Sequence, residues 1–235
     1  MIKVFFTLLT LTISLAVFSC GSNVFEGIDP AEPAEEATVA LEEQKPDKAI
    51  QILENALRAD PENPTLLSLL ASAKAQLAGV DTIDLALSMI SSESSAESEA
   101  NDIEKLFAVM PAATLENIQL LSESVEIMNT IPAVDQLNSD RFKLSMFFTS
   151  LMTLRTKFYD ADGDGQLGPE ELLELDDEAA VAILEDLFAA ETSLANNQND
   201  GENGGVADKV SAIRSKIDTE EGASDAERLR NFLSR

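Results

Sequence analysis

The chain of 235 residues contains no histidine, no tryptophan, one cysteine (Cys20) and one tyrosine (Tyr159). Without histidine or a second cysteine, the sequence excludes a Ser-His-Asp triad, a Cys-His pair and a zinc site built from His and Cys clusters. Only 5% of the residues are aromatic, and 10 glycines and 8 prolines supply few turns, which disfavours an all-β sandwich. The composition therefore favours helices.

Basic residues are also scarce, since 16 lysines and arginines stand against 43 aspartates and glutamates, for a formal charge of −27. Charge of this sign repels phosphate backbones and anionic lipid, so nucleic acid is not expected as a partner, whereas cations or basic surfaces are. Hydrophobic residues still make up 45% of the chain, enough for a sizeable core in one large or two small domains. We therefore predict an acidic, folded, all-α protein.

Residues 1–19 have the form of an export signal. Met-Ile-Lys is followed by fifteen mostly apolar residues, which as a helix rise only about 22 Å, short of a hydrocarbon core of about 30 Å. The following Val17-Phe18-Ser19-Cys20 resembles the lipobox of bacterial lipoproteins, in which the cysteine is acylated and the signal removed. The resemblance implies a membrane anchor through Cys20 and a place in the cell envelope, at the outer membrane if the host has one. An ordinary cleaved signal followed by a free thiol is the alternative.

Residues 20–33 are predicted to be a tether, and residues 34–91 to be a region of paired helices. Pro46 and Pro64 stand at plausible first helical positions, and Asn63 is expected to cap the second helix. Apolar residues follow both prolines at helical spacing. They are Ala49, Ile50, Leu53, Ala56, Leu57, Leu66, Leu67, Leu70, Ala71, Ala73 and Leu77.

Four of these positions carry a family resemblance. Ala49, Leu53, Ala56 and Pro61 match the small, bulky, small and terminating-proline pattern of the tetratricopeptide repeat, whose two antiparallel helices recur every 34 residues. The resemblance covers about sixty residues and implies tetratricopeptide-like hairpins with a possible protein partner bound through them. Two units do not bury a continuous core alone, so a third unit or other helices must cover them. A structural hairpin and a partner-binding groove are both open interpretations.

Residues 92–101, rich in serine and glutamate, are predicted to be an exposed linker, and residues 102–138 to be connecting helices. A longer helix, capped by Ser139 or Asp140, then runs through Tyr159. Its broad apolar stripe is expected to lie in the core. The stripe consists of Phe142, Met146, Phe147, Leu151, Leu154 and Phe158.

The sharpest motif is the segment 160–171, which reads DADGDGQLGPEE. It resembles the EF-hand calcium loop, and even a chain this acidic is expected to match the loop's key positions by chance only about 0.003 times. The resemblance implies Ca²⁺ ligated by carboxylate, carbonyl and water oxygens, with a glycine at the sharp turn. The implied ligands are Asp160, Asp162, Asp164, the backbone carbonyl of Gln166 and both carboxylate oxygens of Glu171, with a water at Gly168, while Gly165 turns the chain and Leu167 faces the core or a partner loop.

EF-hands usually pair, so residues 139–217 are predicted to be an EF-hand-like pair with a degenerate second loop, and residues 218–235 a C-terminal helix. The second loop begins 36 residues after Asp160, but Ala207 replaces the closing glutamate. A metal-free pseudo-loop is expected, and a plain linker is the alternative. Its candidate ligands are Asn196, Gln198 and Asp200, with Gly201 at the turn.

The function that these features favour is an exported, lipid-anchored calcium-binding protein that acts as an interaction or scaffold module, with calcium in a structural role. No catalytic residue is assigned, and the protein is not expected to be an enzyme. One alternative is a subunit of an envelope assembly, recruited through the repeat-like helices with calcium incidental. The other is a hydrolase using paired carboxylates, since Asp and Glu are the only plentiful acid-base groups.

Overall fold

The computed structural model describes residues 32–91, 101–195 and 204–234, and within these ranges the all-α expectation is confirmed, with no strand among them. The export signal, Cys20, nearly all of the predicted linker and the first part of the second candidate loop lie outside the described residues. No helix within the described ranges is both long and apolar enough to cross a bilayer. The helices are α1 (Pro33–Glu42), α2 (Pro46–Leu57), α3 (Pro64–Leu77), α4 (Thr82–Ser91), α5 (Asn101–Val109), α6 (Leu115–Thr130), α7 (Asn138–Lys157), α8 (Pro169–Glu174), α9 (Asp177–Ala195), α10 (Gly204–Thr219) and α11 (Asp225–Leu233).

The first three helices begin as the local sequence predicts. Pro46 and Pro64 are the first residues of α2 and α3, where a residue without an N–H costs no intrahelical hydrogen bond. Asn63 caps α3, because its Oδ1 accepts from the backbone N–H groups of Thr65 at 3.1 Å and Leu66 at 3.2 Å. Both helix starts and the Asn63 cap are therefore confirmed.

Helices α1, α2 and α3 pack consecutively around a small core built largely of alanines. Small side chains allow helix backbones to approach closely, but each of them buries little apolar area. The buried members of this core are Ala37, Ala40, Ala49, Leu53, Leu66, Leu70 and Ala73.

Helix α6 packs along α3 and supplies the additional helix that the repeat-like hairpins need. Ile127 of α6 contacts both the alanine-rich core and the larger core beyond it. On the outer side, Lys74 Nζ lies 2.8 Å from Glu123 Oε2 and joins the two helices. From Pro33 onward the chain consequently forms one compact unit.

Helix α7 lies at the centre of the larger core, against α6 and most extensively against α9. Much of its surface is buried, including five hydroxyl side chains. Ser145 Oγ donates to the Ala190 carbonyl of α9 at 2.9 Å, which reflects a close approach of these two helices. The other four donate to the carbonyl four residues earlier, so no partner outside the helix is needed. They are Thr149, Ser150, Thr153 and Thr156.

Two details of α7 differ from the sequence prediction. The helix begins at Asn138, so neither Ser139 nor Asp140 is the N-cap; Asp140 lies inside the first turn, and its Oδ2 accepts from the Leu137 N–H at 3.0 Å. Asp140 is buried and also binds Ser68 of α3, a partner that the local sequence does not reveal. The apolar stripe is largely in the core, but Phe158 is 45% exposed because α7 ends at Lys157.

Candidate metal centre

The segment 160–171 connects α7 to α8 through a tight loop. Gly163 and Gly165 have φ values of +73° and +88°, in the left-handed region that side chains with a Cβ disfavour. Pro169 is the first residue of α8, as predicted, and Gly168 stands immediately before it. The glycines and the proline thus place the acidic residues of the loop on a short, strongly turned backbone.

Three carboxylates converge in this loop. Asp160, Asp162 and Asp164 each contribute an oxygen, and these oxygens all lie within 4.8 Å of one another. Asp160 is partly buried, whereas the other two are exposed. Three like charges at such distances repel one another, so the arrangement favours a cation.

The carboxylates are oriented by backbone N–H groups of the same loop. Asp160 accepts from Gly163 at 2.9 Å through Oδ1 and from Gly165 at 3.1 Å through Oδ2. Asp162 Oδ1 accepts from the Asp164 N–H at 3.1 Å, and Asp164 Oδ1 accepts from the Gln166 N–H at 2.8 Å. Backbone N–H groups of the loop therefore restrain the orientation of its acidic side chains, although Asp162 and Asp164 remain exposed.

Glu171 reaches back across the loop from the first turn of α8. Its Oε1 accepts from the N–H groups of Ala161 at 2.7 Å and Asp162 at 3.3 Å, while Oε2 accepts from Gly168 at 2.7 Å. The Gly168 N–H, followed by those of Ala161 and Asp162, holds the pKa of the Glu171 carboxyl below its usual range. The Glu171 carboxylate is thus held in its ionised form against the backbone of the loop.

One side chain of the loop, that of Leu167, lies in the interior of the protein. Leu167 is only 7% exposed, which agrees with its expected inward position. It lines a cavity of about 220 Å³ together with Phe107 of α5 and Phe232 of α11. Just before the loop, Lys157 Nζ donates to the carbonyls of Phe107 and Met110 at 2.8 and 3.1 Å, at the C-terminal end of α5. The loop therefore lies beside α5 and α11.

The structure brings together the side chains of three predicted ligands, Asp160, Asp162 and Asp164. Glu171 is outside this cluster and binds backbone N–H groups of the loop, and Gln166 lies in the same loop. The second candidate loop is not described at Asn196, Gln198, Asp200 or Gly201. Its exit helix α10 begins at Gly204, so Ala207 lies inside a helix.

A second polar cluster lies between α3 and α7, and no local sequence pattern indicates it. Ser68 Oγ of α3 donates to Asp140 Oδ1 of α7 at 2.6 Å and accepts from Lys143 Nζ of α7 at 3.0 Å. Asp140 and Lys143 lie 72 and 75 positions after Ser68 in the chain, and each of the three residues is unremarkable in its own helix. No local signal could have found the cluster, because only the packing of α3 against α7 creates it.

Comparison with known proteins gives one match. The model of the tetratricopeptide repeat family matches residues 40–79, which include α2 and α3 and about a sixth of the chain. No curated protein and no solved structure matches the chain. The chain therefore contains a tetratricopeptide-like repeat within an all-helical protein, and such a repeat is typical of protein-interaction modules.

Proposed function

We propose that this protein is an exported, lipid-anchored calcium-binding protein that acts as an interaction or scaffold module. The observation that carries the calcium part is the loop 160–171. Three carboxylates converge there on a backbone turned by two left-handed glycines, and Glu171 binds the backbone of the same loop, in a motif that resembles the EF-hand loop.

The donor set suits calcium in particular. Ca²⁺ is a hard cation that takes six to eight oxygen ligands, and the loop offers carboxylate and backbone carbonyl oxygens. The chain has no histidine, and the loop itself contains no cysteine, so the ligands that would favour a softer transition metal are absent from its sequence. The residues that would hold the ion are Asp160, Asp162, Asp164, Gln166 through its carbonyl, and Glu171.

A structural role for calcium follows from the position of the loop. When bound, the ion offsets the mutual repulsion of the four carboxylates and fixes the connection between α7 and α8. Lys157 binds the carbonyls at the end of α5, and Leu167 lines a cavity with residues of α5 and α11, so the loop lies beside both helices. Calcium is therefore expected to stabilise the fold by RT ln(1 + [Ca²⁺]/Kd), about 2.7 kcal/mol at a hundred times Kd.

The test is calorimetric titration with Ca²⁺ together with the thermal midpoint of the full chain. We expect heat of binding and a calcium-dependent rise in the midpoint, both absent in Glu171→Ala. The matched control is Glu170→Ala, which removes the same charge from the neighbouring exposed position and retains the response. Absence of both heat and shift at millimolar Ca²⁺ overturns the calcium proposal.

A sensor and a structural site differ in the surface that they expose. A sensor opens an apolar groove on binding calcium, whereas a structural site only becomes more rigid. We expect the fluorescence of an apolar-surface dye to stay constant when Ca²⁺ is added. A large calcium-dependent increase would assign a sensor instead.

The interaction part of the proposal is supported by the tetratricopeptide match at residues 40–79. The same match supports the alternative in which the protein is a subunit of an envelope assembly and calcium is incidental. Affinity purification from membranes, with and without a calcium chelator, separates the two. Partners retained equally in Glu171→Ala favour the assembly subunit with incidental calcium.

The lipid anchor is proposed from the sequence Val17-Phe18-Ser19-Cys20 alone. Several acyl chains on one residue would hold the protein stably at a bilayer. We expect metabolic labelling with a fatty acid to mark the chain, and Cys20→Ala to abolish the label and release the protein from the membrane fraction. Unchanged membrane retention in Cys20→Ala would reject this anchor.

A further inference from the structure

A second cavity, remote in sequence from the acidic loop, lies where the α1–α2 turn, α3, the start of α4 and α7 meet. Its volume is about 340 Å³, at the lower end of the range of about 300–1,000 Å³ that small-molecule sites occupy. Val80 and Phe147, both buried, form part of its wall, and Ile83, which also lines it, is 71% exposed. Its polar side chains include Gln76 of α3 and Lys143 of α7. The cavity therefore combines apolar walls with a basic group.

Lys143 has an unusual set of partners for a lysine. Lys48 and Lys74 each form an ion pair with a glutamate, at 3.6 and 2.8 Å. Lys143, which is partly buried, forms no ion pair within the described residues, and its Nζ donates to the neutral Ser68 Oγ at 3.0 Å. Burial lowers the pKa of Lys143, and the nearby Asp140 partly offsets this effect. The site therefore favours the neutral amine more than water does.

The hydrogen bonds around Ser68 leave the nitrogen of Lys143 available for reaction. Asp140 Oδ1 accepts the Ser68 proton at 2.6 Å, and a hydroxyl group has only one proton to donate. Ser68 Oγ is therefore an acceptor toward Lys143 Nζ, and it holds one N–H of that group in place. When the amine is neutral, Ser68 has no proton to donate to its lone pair. A neutral lysine amine with an available lone pair is a nucleophile toward carbonyl compounds.

The class of ligand follows from charge and polarity. Asp81 lines the cavity, Asp140 lies near Lys143, and the chain has a formal charge of −27, so an anionic electrophile is repelled. The apolar walls favour an aliphatic chain. Condensation of an amine with an uncharged carbonyl compound releases only water. An aliphatic aldehyde meets all three conditions.

We propose that Lys143 is a site of covalent modification by an aliphatic aldehyde whose chain lies against the apolar walls of the cavity. The nitrogen lone pair attacks the carbonyl carbon, and one N–H proton passes to the carbonyl oxygen, which gives a carbinolamine. The C–O bond then breaks, the oxygen leaves as water with the second N–H proton, and a C=N bond forms. Nothing is oxidised or reduced in this imine formation. The inference does not depend on calcium.

The test is reductive labelling of the full chain at neutral pH with a limiting amount of hexanal and sodium cyanoborohydride, which reduces an imine to a stable secondary amine. Peptide mass spectrometry identifies the labelled lysines. We expect Lys143 to be labelled several-fold faster than Lys48, an exposed lysine of α2 that is paired with Glu36. Labelling of Lys143 at or below the rate of Lys48 overturns the inference.

Chain length tests whether the cavity holds the aldehyde. Hexanal has a longer aliphatic chain than propanal, and burial of about two methylene groups is enough for about a tenfold gain in affinity. We therefore expect hexanal to label Lys143 about tenfold faster than propanal does, and the two aldehydes to label Lys48 at similar rates. Equal rates of the two aldehydes at Lys143 overturn the assignment of the cavity.

Two pairs of variants complete the test. Lys143→Arg keeps the charge and is expected to lose the fast phase of labelling, whereas Lys48→Arg retains it. Ile83→Ser removes part of the apolar wall and should lower the preference for hexanal several-fold. Leu87→Ser, at a 58% exposed position of α4 outside the cavity, should leave that preference unchanged. A fast phase that persists in Lys143→Arg overturns the inference.

Discussion

The helices before and after residue 80 are built on different principles. The hairpins α1–α3 enclose a core of small side chains, chiefly alanines, whose contacts join helices adjacent in the sequence. The bundle around α7 encloses large side chains such as Phe147 and Met146, and it brings together helices up to the C-terminal α11. Local sequence patterns therefore determine the first region, whereas long-range packing determines the second.

The hydrogen-bonding partners of polar groups also differ between the two regions. In the hairpins, Asn63 and the first-turn prolines satisfy helix ends within a few residues. In the bundle, most buried hydroxyl groups of α7 bind within their own helix, but two buried side chains have partners far along the chain, Ser145 with Ala190 and Asp140 with Ser68. The loop 160–171 combines both kinds of interaction. Its carboxylates accept hydrogen bonds from residues of the loop itself, whereas Leu167 lines a cavity with residues of α5 and α11.

The largest expected effect lies in the bundle core. Phe147 is 1% exposed, and Phe147→Ala is expected to lower the free energy of unfolding by about 3–5 kcal/mol through the lost transfer energy and the cavity left behind. Urea unfolding followed by circular dichroism measures this change. The control Phe158→Ala, at a 45% exposed position, should cost far less. Equal effects of the two variants would mean that the bundle core is not centred on α7.

A buried carboxylate, Asp186, gives the bundle a pH-dependent stability. Burial raises the pKa of Asp186 to about 7, an effect that the Arg155 guanidinium, 2.9 Å away between Nε and Oδ2, only partly offsets. Between pH 4 and 7 the folded chain retains a proton that the unfolded chain has lost, so stability falls as pH rises, by up to about 1.4 kcal/mol per pH unit.

The measurement is the free energy of unfolding from pH 4 to 8 for the parent chain and for Asp186→Asn. The variant should lose this part of the slope and gain stability relative to the parent chain as pH rises through that window. Asp177→Asn, at an exposed position of the same helix, is the control for the loss of one charge. A constant difference between Asp186→Asn and the parent chain across the range contradicts the raised pKa.

The alanine-rich core of the hairpins is expected to be destabilised by a larger side chain. Ala49 is fully buried, and Ala49→Leu is expected to cost about 1–3 kcal/mol because the closely packed helices must separate. Val39→Leu adds a methylene at a 47% exposed position of α1 and should be nearly neutral. Because the chain from Pro33 onward forms one compact unit, thermal unfolding of Ala49→Leu should remain a single transition. Two separate transitions would show that the hairpins unfold independently.

The smallest effect concerns the backbone of the loop. A Cβ added at Gly165 meets nothing within 4 Å, so the cost of Gly165→Ala, about 1–2 kcal/mol, comes from the left-handed φ of +88° alone. Gly168→Ala is the matched control, because Gly168 has an ordinary φ of −68° and its added Cβ makes a normal 3.5 Å contact with Glu171. Thermal unfolding without calcium measures both variants. An equal loss in the two would show that the left-handed turn is not required.

Prediction from sequence succeeded where the responsible contacts are local. Pro46, Pro64 and the Asn63 cap act within one helical turn, and the pattern of the loop 160–171 specifies its own turns and converging side chains. It failed for the role of Asp140, which was expected to be a cap, because the burial of that carboxylate depends on Ser68 in a distant helix. It also placed Phe158 in the core, since helical periodicity does not reveal where a helix ends relative to its neighbours.

The sequence by itself determined the helical class, the repeat-like pattern and the spacing of the acidic residues in the loop. These features depend on backbone preferences and on side chains a few positions apart. The tertiary structure alone decided that α6 covers the repeat-like hairpins, and that α7 carries buried hydroxyls and carboxylates. It also decided that Lys143 and Gln76 line one cavity. Each of these results requires helices far apart in the chain to pack against each other. The free energy of that packing depends on complementary shape and on burial, which a short sequence pattern does not specify.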